Sequence, residues 1–128
     1  MRGGQLTISW LRITLIAIKL PVTNQINAGA QANFPLPNIG PGAALDDVFT
    51  SKDEDKPISG GLFTMVKADE PLVYTYGYHE LKIILEGEIH LEDAAKPGEV
   101  IKAKAGDVLR IEKGTTVKFT SPTQGKGV

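Results

Sequence analysis

Residues 74–88 read YTYGYHELKIILEGE, and their alternation decides the fold. In an extended strand, successive side chains point to opposite sides. Tyr74, Tyr76, Tyr78, Glu80, Lys82 and Ile84 then share one face. His79, Leu81, Ile83 and Leu85 share the other. The second face is largely apolar, so it calls for cover from the N-terminal arm or a second subunit. Glu86-Gly87 reads as a tight turn that ends the run.

Downstream, short β segments recur between turn signals. Residues 88–92, 100–103, 108–111 and 116–120 read as strands, and 96–99, 105–107 and 113–114 as turns. Upstream, 58–66 reads as a strand broken at Gly60-Gly61, and 69–71 as a turn. From 21 to 57 the chain carries Pro21, Pro35, Pro37, Pro41 and Pro57, which interrupt helix and strand ladders alike. An extended arm with a short strand near 47–50 is expected there, followed by a solvated loop at 51–56, SKDEDK. No segment keeps a helical period, no internal repeat occurs and no Gly-rich phosphate loop follows a strand. The pattern predicts an all-β sandwich or barrel in one domain. Residues 1–57 form the arm and 58–128 the barrel. The tail at 120–128, TSPTQGKGV, has little strand character, so the barrel is expected to be incomplete at that edge or completed by the arm.

The chain's 128 residues suffice for one domain, and its net charge of −1 gives no electrostatic case for nucleic acid or an anionic membrane. It has no cysteine, which excludes disulfides, zinc–thiolate sites and thiol nucleophiles. Its two histidines, His79 and His90, exclude a three-histidine metal site within one chain, though not one shared between subunits. Residues 6–20, LTISWLRITLIAIKL, are the most apolar run. The run is too short to span a membrane, and Arg12 and Lys19 interrupt it. No small-x-small cleavage site follows it, so a secretory leader is not expected and a cytoplasmic location is. Leu6, Ile8 and Trp10 alternate with polar residues, which favours β structure on a sheet edge or a neighbouring subunit.

ILEGEIHLED at 84–93 and AKAGDVLRIEKGTTVKF at 103–119 resemble the two sequence blocks of the cupin superfamily. The likeness is closest to the EutQ-like cupins, named after an ethanolamine-utilisation protein. It covers residues 58–122 and implies a jelly-roll β-barrel of RmlC-like type, often dimeric, with a small-molecule or metal site inside. The common cupin pattern draws metal ligands from His-x-His-x-x-x-Glu in the first block and one His in the second. Aligned on that pattern, Glu80 holds the glutamate position, Tyr74 and Tyr76 stand where the histidines would, and Val117 stands for the last histidine. Glu112 replaces the usual proline of the second block, and Gly114 is retained. One of the four usual ligands remains, which is too few for a divalent transition ion.

The inward row suggests other chemistry. Glu80 and Lys82 lie about 7 Å apart at Cβ, so their tips can meet. Glu80 is the candidate general base, Lys82 the electrophilic or proton-donating partner, and Tyr74, Tyr76 and Tyr78 the substrate-positioning hydroxyls. This set suits proton abstraction beside a carbonyl, as in a lyase, isomerase, decarboxylase or cyclase acting on a small molecule without metal or other cofactor. The bland alternative is a structural Glu–Lys ion pair with tyrosines as core aromatics, in a barrel that only binds a small ligand. A third reading is a divalent-metal enzyme using Glu80 with His79, His90 or a tyrosinate, within one chain or across a homodimer. By alternation His79 faces away from Glu80, and His90 faces solvent with Glu88 and Glu92.

Overall fold

The computed structural model describes residues 25–128. The expectations for residues 6–20 lie outside the described residues. One helical turn, α1 (Ala30–Asn33), precedes the strands. These are β1 (Asn38–Gly40), β2 (Ala43–Thr50), β3 (Ser59–Val66), β4 (Leu72–Thr75), β5 (Glu80–Asp93), β6 (Val100–Lys104), β7 (Val108–Ile111), β8 (Thr116–Thr120) and β9 (Gln124–Gly127). Side by side they run β1–β2–β3–β9–β5–β8–β4, and β6 and β7 also pair with β5. The sheet curls into a nearly closed barrel, with an unsealed seam between β1 and β4. The all-β, cupin-like jelly roll expected from the sequence is what the chain forms. No helix among the described residues is long and apolar enough to cross a membrane.

β5 organises the barrel because it pairs with four strands. Its first half, Glu80 to Ile83, pairs with β7, and its second half, Glu88 to Glu92, with β6. Residues Ile84 to Gly87 meet β9, and His90 to Asp93 meet β8. The change of partners falls at Glu86-Gly87, which is therefore not the turn that the sequence suggested. Gly87 has φ 69°, and a Cβ there would lie 2.1 Å from the carbonyl oxygen of Gln124. Only glycine lets the strand bend at this point while β9 passes so close. The bend also changes the phase of the alternation: Lys82 and Ile84 face inward before it, Ile89 and Leu91 after it.

Other boundaries differ from expectation for physical reasons. The run at 72–85 divides into β4 and β5, because residues 76–79 turn the chain from one side of the barrel to another. Gly60-Gly61 does not break β3; at Gly61 a Cβ would lie 2.7 Å from the Asp46 carbonyl, so glycine lets β2 pair closely. β2 begins at Ala43, not near Asp47, and both β1 and β2 belong to the barrel sheet. The tail supplies β9, which fills the gap between β3 and β5. There Gly125 and Gly127 face inward, where a Cβ on Gly125 would meet Ile89 Cγ1 at 2.4 Å.

The core is an inward cluster drawn from β2, β3, β5, β6, β7 and β8. Ala43, Phe63, Met65, Ile84, Ile89, Leu91, Ala103, Ile111, Val117 and Phe119 are all buried, and Phe63 packs against Phe119 with the ring centroids 5.6 Å apart and the planes tilted by 54°. This apolar floor lies under the polar residues of β5's first half.

Candidate active site

Glu80 and Lys82 open β5 on the inner face, opposite Ile111 and Leu109 of β7. Tyr76 leads into them from the segment between β4 and β5. Its backbone accepts from the Gly114 amide and donates to the Thr115 carbonyl, which pins it to the turn before β8. The Tyr76 hydroxyl donates to Glu80 Oε1 at 2.7 Å. Lys82 Nζ lies 3.4 Å from the same oxygen. It also sits 4.9 Å from the centroid of the Phe63 ring, within cation–π range. The described contacts of the carboxylate therefore fall on Oε1.

Burial grades the cluster from floor to mouth. The Lys82 side chain is 5% exposed and that of Glu80 20%. Tyr76 is buried, whereas Tyr74 and Tyr78 are substantially exposed. The three rings pack edge to face, with centroids 4.9 Å apart for Tyr74–Tyr76 and 5.5 Å for Tyr76–Tyr78. The Tyr74 hydroxyl reaches that of Tyr78 at 3.4 Å. Burial, and then the hydrogen bond to Glu80, push the Tyr76 hydroxyl far above the ordinary tyrosine range. Burial, and then the contact with Tyr74, raise Tyr78 as well. Both phenols stay protonated near neutrality; the Tyr76 hydroxyl donates to Glu80, and that of Tyr78 accepts from Tyr74.

The five residues singled out in the sequence, Tyr74, Tyr76, Tyr78, Glu80 and Lys82, thus form one cluster. His79 is not part of it. Its Nδ1 accepts from the Lys113 amide at 3.1 Å, with Glu112 nearby at 3.4 Å and most of its side chain exposed. His90 is also elsewhere; it is half-buried rather than solvent-facing, and it bonds Glu88. Sequence reasoning missed Phe63, whose ring lies beneath Lys82, and Asp47, whose charge bears on Tyr78. The alternation of Gly61, Phe63 and Met65 along β3 was the available signal for Phe63.

The register tests whether a metal ion suits this place. Tyr74 lies directly across from Val117, so the positions that align with the cupin ligand pattern do converge. The side chains they bring are one carboxylate, two phenols and one isopropyl group. Tyr76 is held protonated, and an ammonium already stands beside the carboxylate. These residues do not fit a divalent transition ion, which takes several deprotonated or imidazole donors. Among the described residues, no group of three or more His, Asp or Glu side chains is placed to hold one.

The family model described as ethanolamine utilisation protein EutQ matches residues 13–128. The chain belongs to the EutQ family. Among curated relatives, acetate kinase EutQ of Salmonella typhimurium is 37% identical over 79 residues, which make up 62% of this chain and 32% of that protein. Acetate kinase EutQ of Escherichia coli is 33% identical over 82 residues, or 64% of this chain and 33% of that protein. The chain thus spans about a third of the length of the curated EutQ relatives it matches. A crystal structure described as a putative ethanolamine utilization protein Q from Salmonella typhimurium aligns with a TM-score of 0.60 at 29% identity, covering 72% of this chain and 73% of that one. An RmlC-like cupin from Shewanella frigidimarina aligns at 0.57 and 17% identity, over 82% and 86% of the two chains, a likeness of fold alone.

Proposed function

We propose that the barrel is a metal-independent acid–base site for a small carbonyl or carboxylate compound. The observation that carries this reading is the convergence of Tyr76 and Lys82 on one oxygen of Glu80. Two donors on Oε1 fix the orientation of the carboxylate and leave Oε2 as the basic atom. Lys82 is placed to stabilise negative charge that develops on a substrate oxygen, and the low polarity around it strengthens that interaction. Tyr74 and Tyr78 at the mouth orient the rest of the molecule. Proton abstraction beside a carbonyl follows, with Glu80 accepting the proton and Lys82 holding the enolate oxygen. The relatives named acetate kinase EutQ point to substrates of the same size, since acetate is a small carboxylate. We extend to this chain a part in ethanolamine utilisation on the family's description.

A second reading, a non-catalytic ligand-binding module, is favoured by the same ion pair, which meets the need of a buried ammonium for an opposite charge. Deuterium exchange separates the two. Acetone, acetaldehyde and pyruvate are incubated with the protein in heavy water and followed by NMR. Protein-dependent exchange that is lost in Glu80→Gln supports the base. Because that change alone leaves Lys82 without its counter-charge, the Glu80→Gln/Lys82→Met double variant is the control for folding. Exchange that persists in a stable double variant, or is absent from the wild type with all three compounds, would sink the enzymatic reading.

A further inference from the structure

The outer face of the barrel carries an unpartnered apolar row. Ile83 lies across from Val108 on one side, and exchanges two backbone hydrogen bonds with Val128 on the other, at 2.8 and 2.9 Å. Leu81 continues the row along β5. Exposures are 71% for Leu81, 66% for Val108, 43% for Ile83 and 41% for Val128. These four side chains form one patch across three adjacent chain segments. A contiguous apolar patch on a protein surface marks a place where something docks.

The described chain begins on this same face. Lys126 and Val128 point outward, because Gly127 between them points at Ile84 and Lys82. Lys126 Nζ donates to the Gln31 carbonyl at 2.5 Å, and Gln31 Nε2 donates to Glu86 at 3.0 Å. α1 is therefore fastened beside the apolar row, two residues along from Val128. The segment that precedes it, residues 6–20, is the most apolar in the sequence and alternates as a strand does. We propose that residues 6–20 lie across the outer face formed by Leu81, Ile83, Val108 and Val128.

Reach and chemistry both support this occupant. Extended chain rises about 3.3 Å per residue, so the five steps from Gln25, where the described residues begin, back to Leu20 span up to about 17 Å. The patch is about 10 Å across, since neighbouring strands lie about 4.8 Å apart. A tethered segment also arrives at a high effective concentration that a free partner lacks. A second copy docking face to face would cover the patch but leave Leu6, Ile8 and Trp10 without cover of their own.

The chain has a single tryptophan, Trp10, inside the segment in question. Its fluorescence in the full-length protein reads the docking directly. Blue-shifted emission with weak acrylamide quenching is expected. Leu81→Lys and Val108→Lys each change an exposed side chain and should shift the emission red and raise quenching at least twofold. Val73→Lys, on the outside of β4 and also exposed, should leave the emission unchanged. Water-like emission in the wild type overturns the proposal, and so does indifference to Leu81→Lys and Val108→Lys. A blue shift that disappears on dilution together with a halving of the sedimenting mass assigns the cover to a second chain and overturns it too.

Discussion

β5 carries two pairs of the same form, an acidic residue followed two positions later by a basic one. Glu80 and Lys82 stand before the Gly87 bend, Glu88 and His90 after it. The first pair points into the barrel, with the lysine side chain 5% exposed. The second points outward, among Lys102, Lys104 and Thr120 on the neighbouring strands. Inside, the pair is short of partners, and one tyrosine hydroxyl supplies what the solvent would have supplied. Outside, His90 holds the Glu88 carboxyl below the ordinary carboxylate range, with Lys104 and Lys102 contributing less. The Glu88–His90 pair is half-buried on the outer side with two lysines beside it, so losing it strands no deeply buried charge, whereas a broken buried pair is severely destabilising. The bend in one strand therefore decides which of two similar sequences becomes a site.

The largest effect is expected inside. Glu80→Gln leaves a buried ammonium without counter-charge and should lower stability by about 3–5 kcal/mol in urea denaturation. Adding Lys82→Met to it should restore most of that loss, because a buried pair replaced by apolar side chains is close to neutral. No recovery in the double variant would mean that the pair holds the barrel together by more than mutual compensation.

Gly87→Ala addresses the bend itself. It forces a side chain into left-handed backbone and against the Gln124 carbonyl. A loss of at least about 1–2 kcal/mol is expected, with faster amide exchange at Gln124–Gly127. Unchanged exchange there would show that the bend does not depend on glycine.

Tyr76→Phe removes the donor to Glu80 and should cost about 1–2 kcal/mol. It also carries a pH signature. The folded-state value of Tyr76 is raised, so its contribution is fully present below the ordinary tyrosine range and is lost as pH rises beyond it. The wild type should therefore lose stability steeply above about pH 10, and Tyr76→Phe less steeply. Parallel alkaline limbs in thermal melts would contradict the assignment.

His90→Ala should do least. The folded-state value of Glu88 is lowered, so its contribution is present above the ordinary carboxylate range and is lost as pH falls through and below it. The variant should melt slightly below the wild type at neutral pH and together with it in acid. A gap that widens in acid would show that His90 acts through something other than Glu88.

The pair Glu80 and Lys82 was legible because a period of two puts them on one face of β5, whereas Tyr76 joins them from the segment between β4 and β5, where that period does not run. The likeness to cupins assigned Tyr74 and Val117 to two positions of one ligand pattern, and the register of β4 on β8 sets them across from each other. What the sequence concealed was glycine used for proximity. Gly87 looked like a turn because both a turn and a bend use positive φ. The stretch QGKG at 124–127 looked unlike a strand because strand preference rewards bulk, and here bulk is what must be absent. A Cβ at Gly125 or Gly127 would press on Ile89 or on Lys82 and Ile84. Asp47 was read only as part of a short strand, because nothing local announces that β2 brings it toward Tyr78.

The position of β9 has a consequence in time. It enters between β3 and β5, pairing Gly127 with Phe63 across more than sixty residues of chain. During synthesis β3 and β5 are both made well before residues 124–127 leave the ribosome. Until then each presents an unsatisfied edge, and the floor beneath Lys82 is open to water. Such long-range closure is slow, and open edges invite pairing with the wrong chain. Closure of the gap between β3 and β5 and completion of the floor of the site are thus one event, which waits for residues 124–127 to follow both strands.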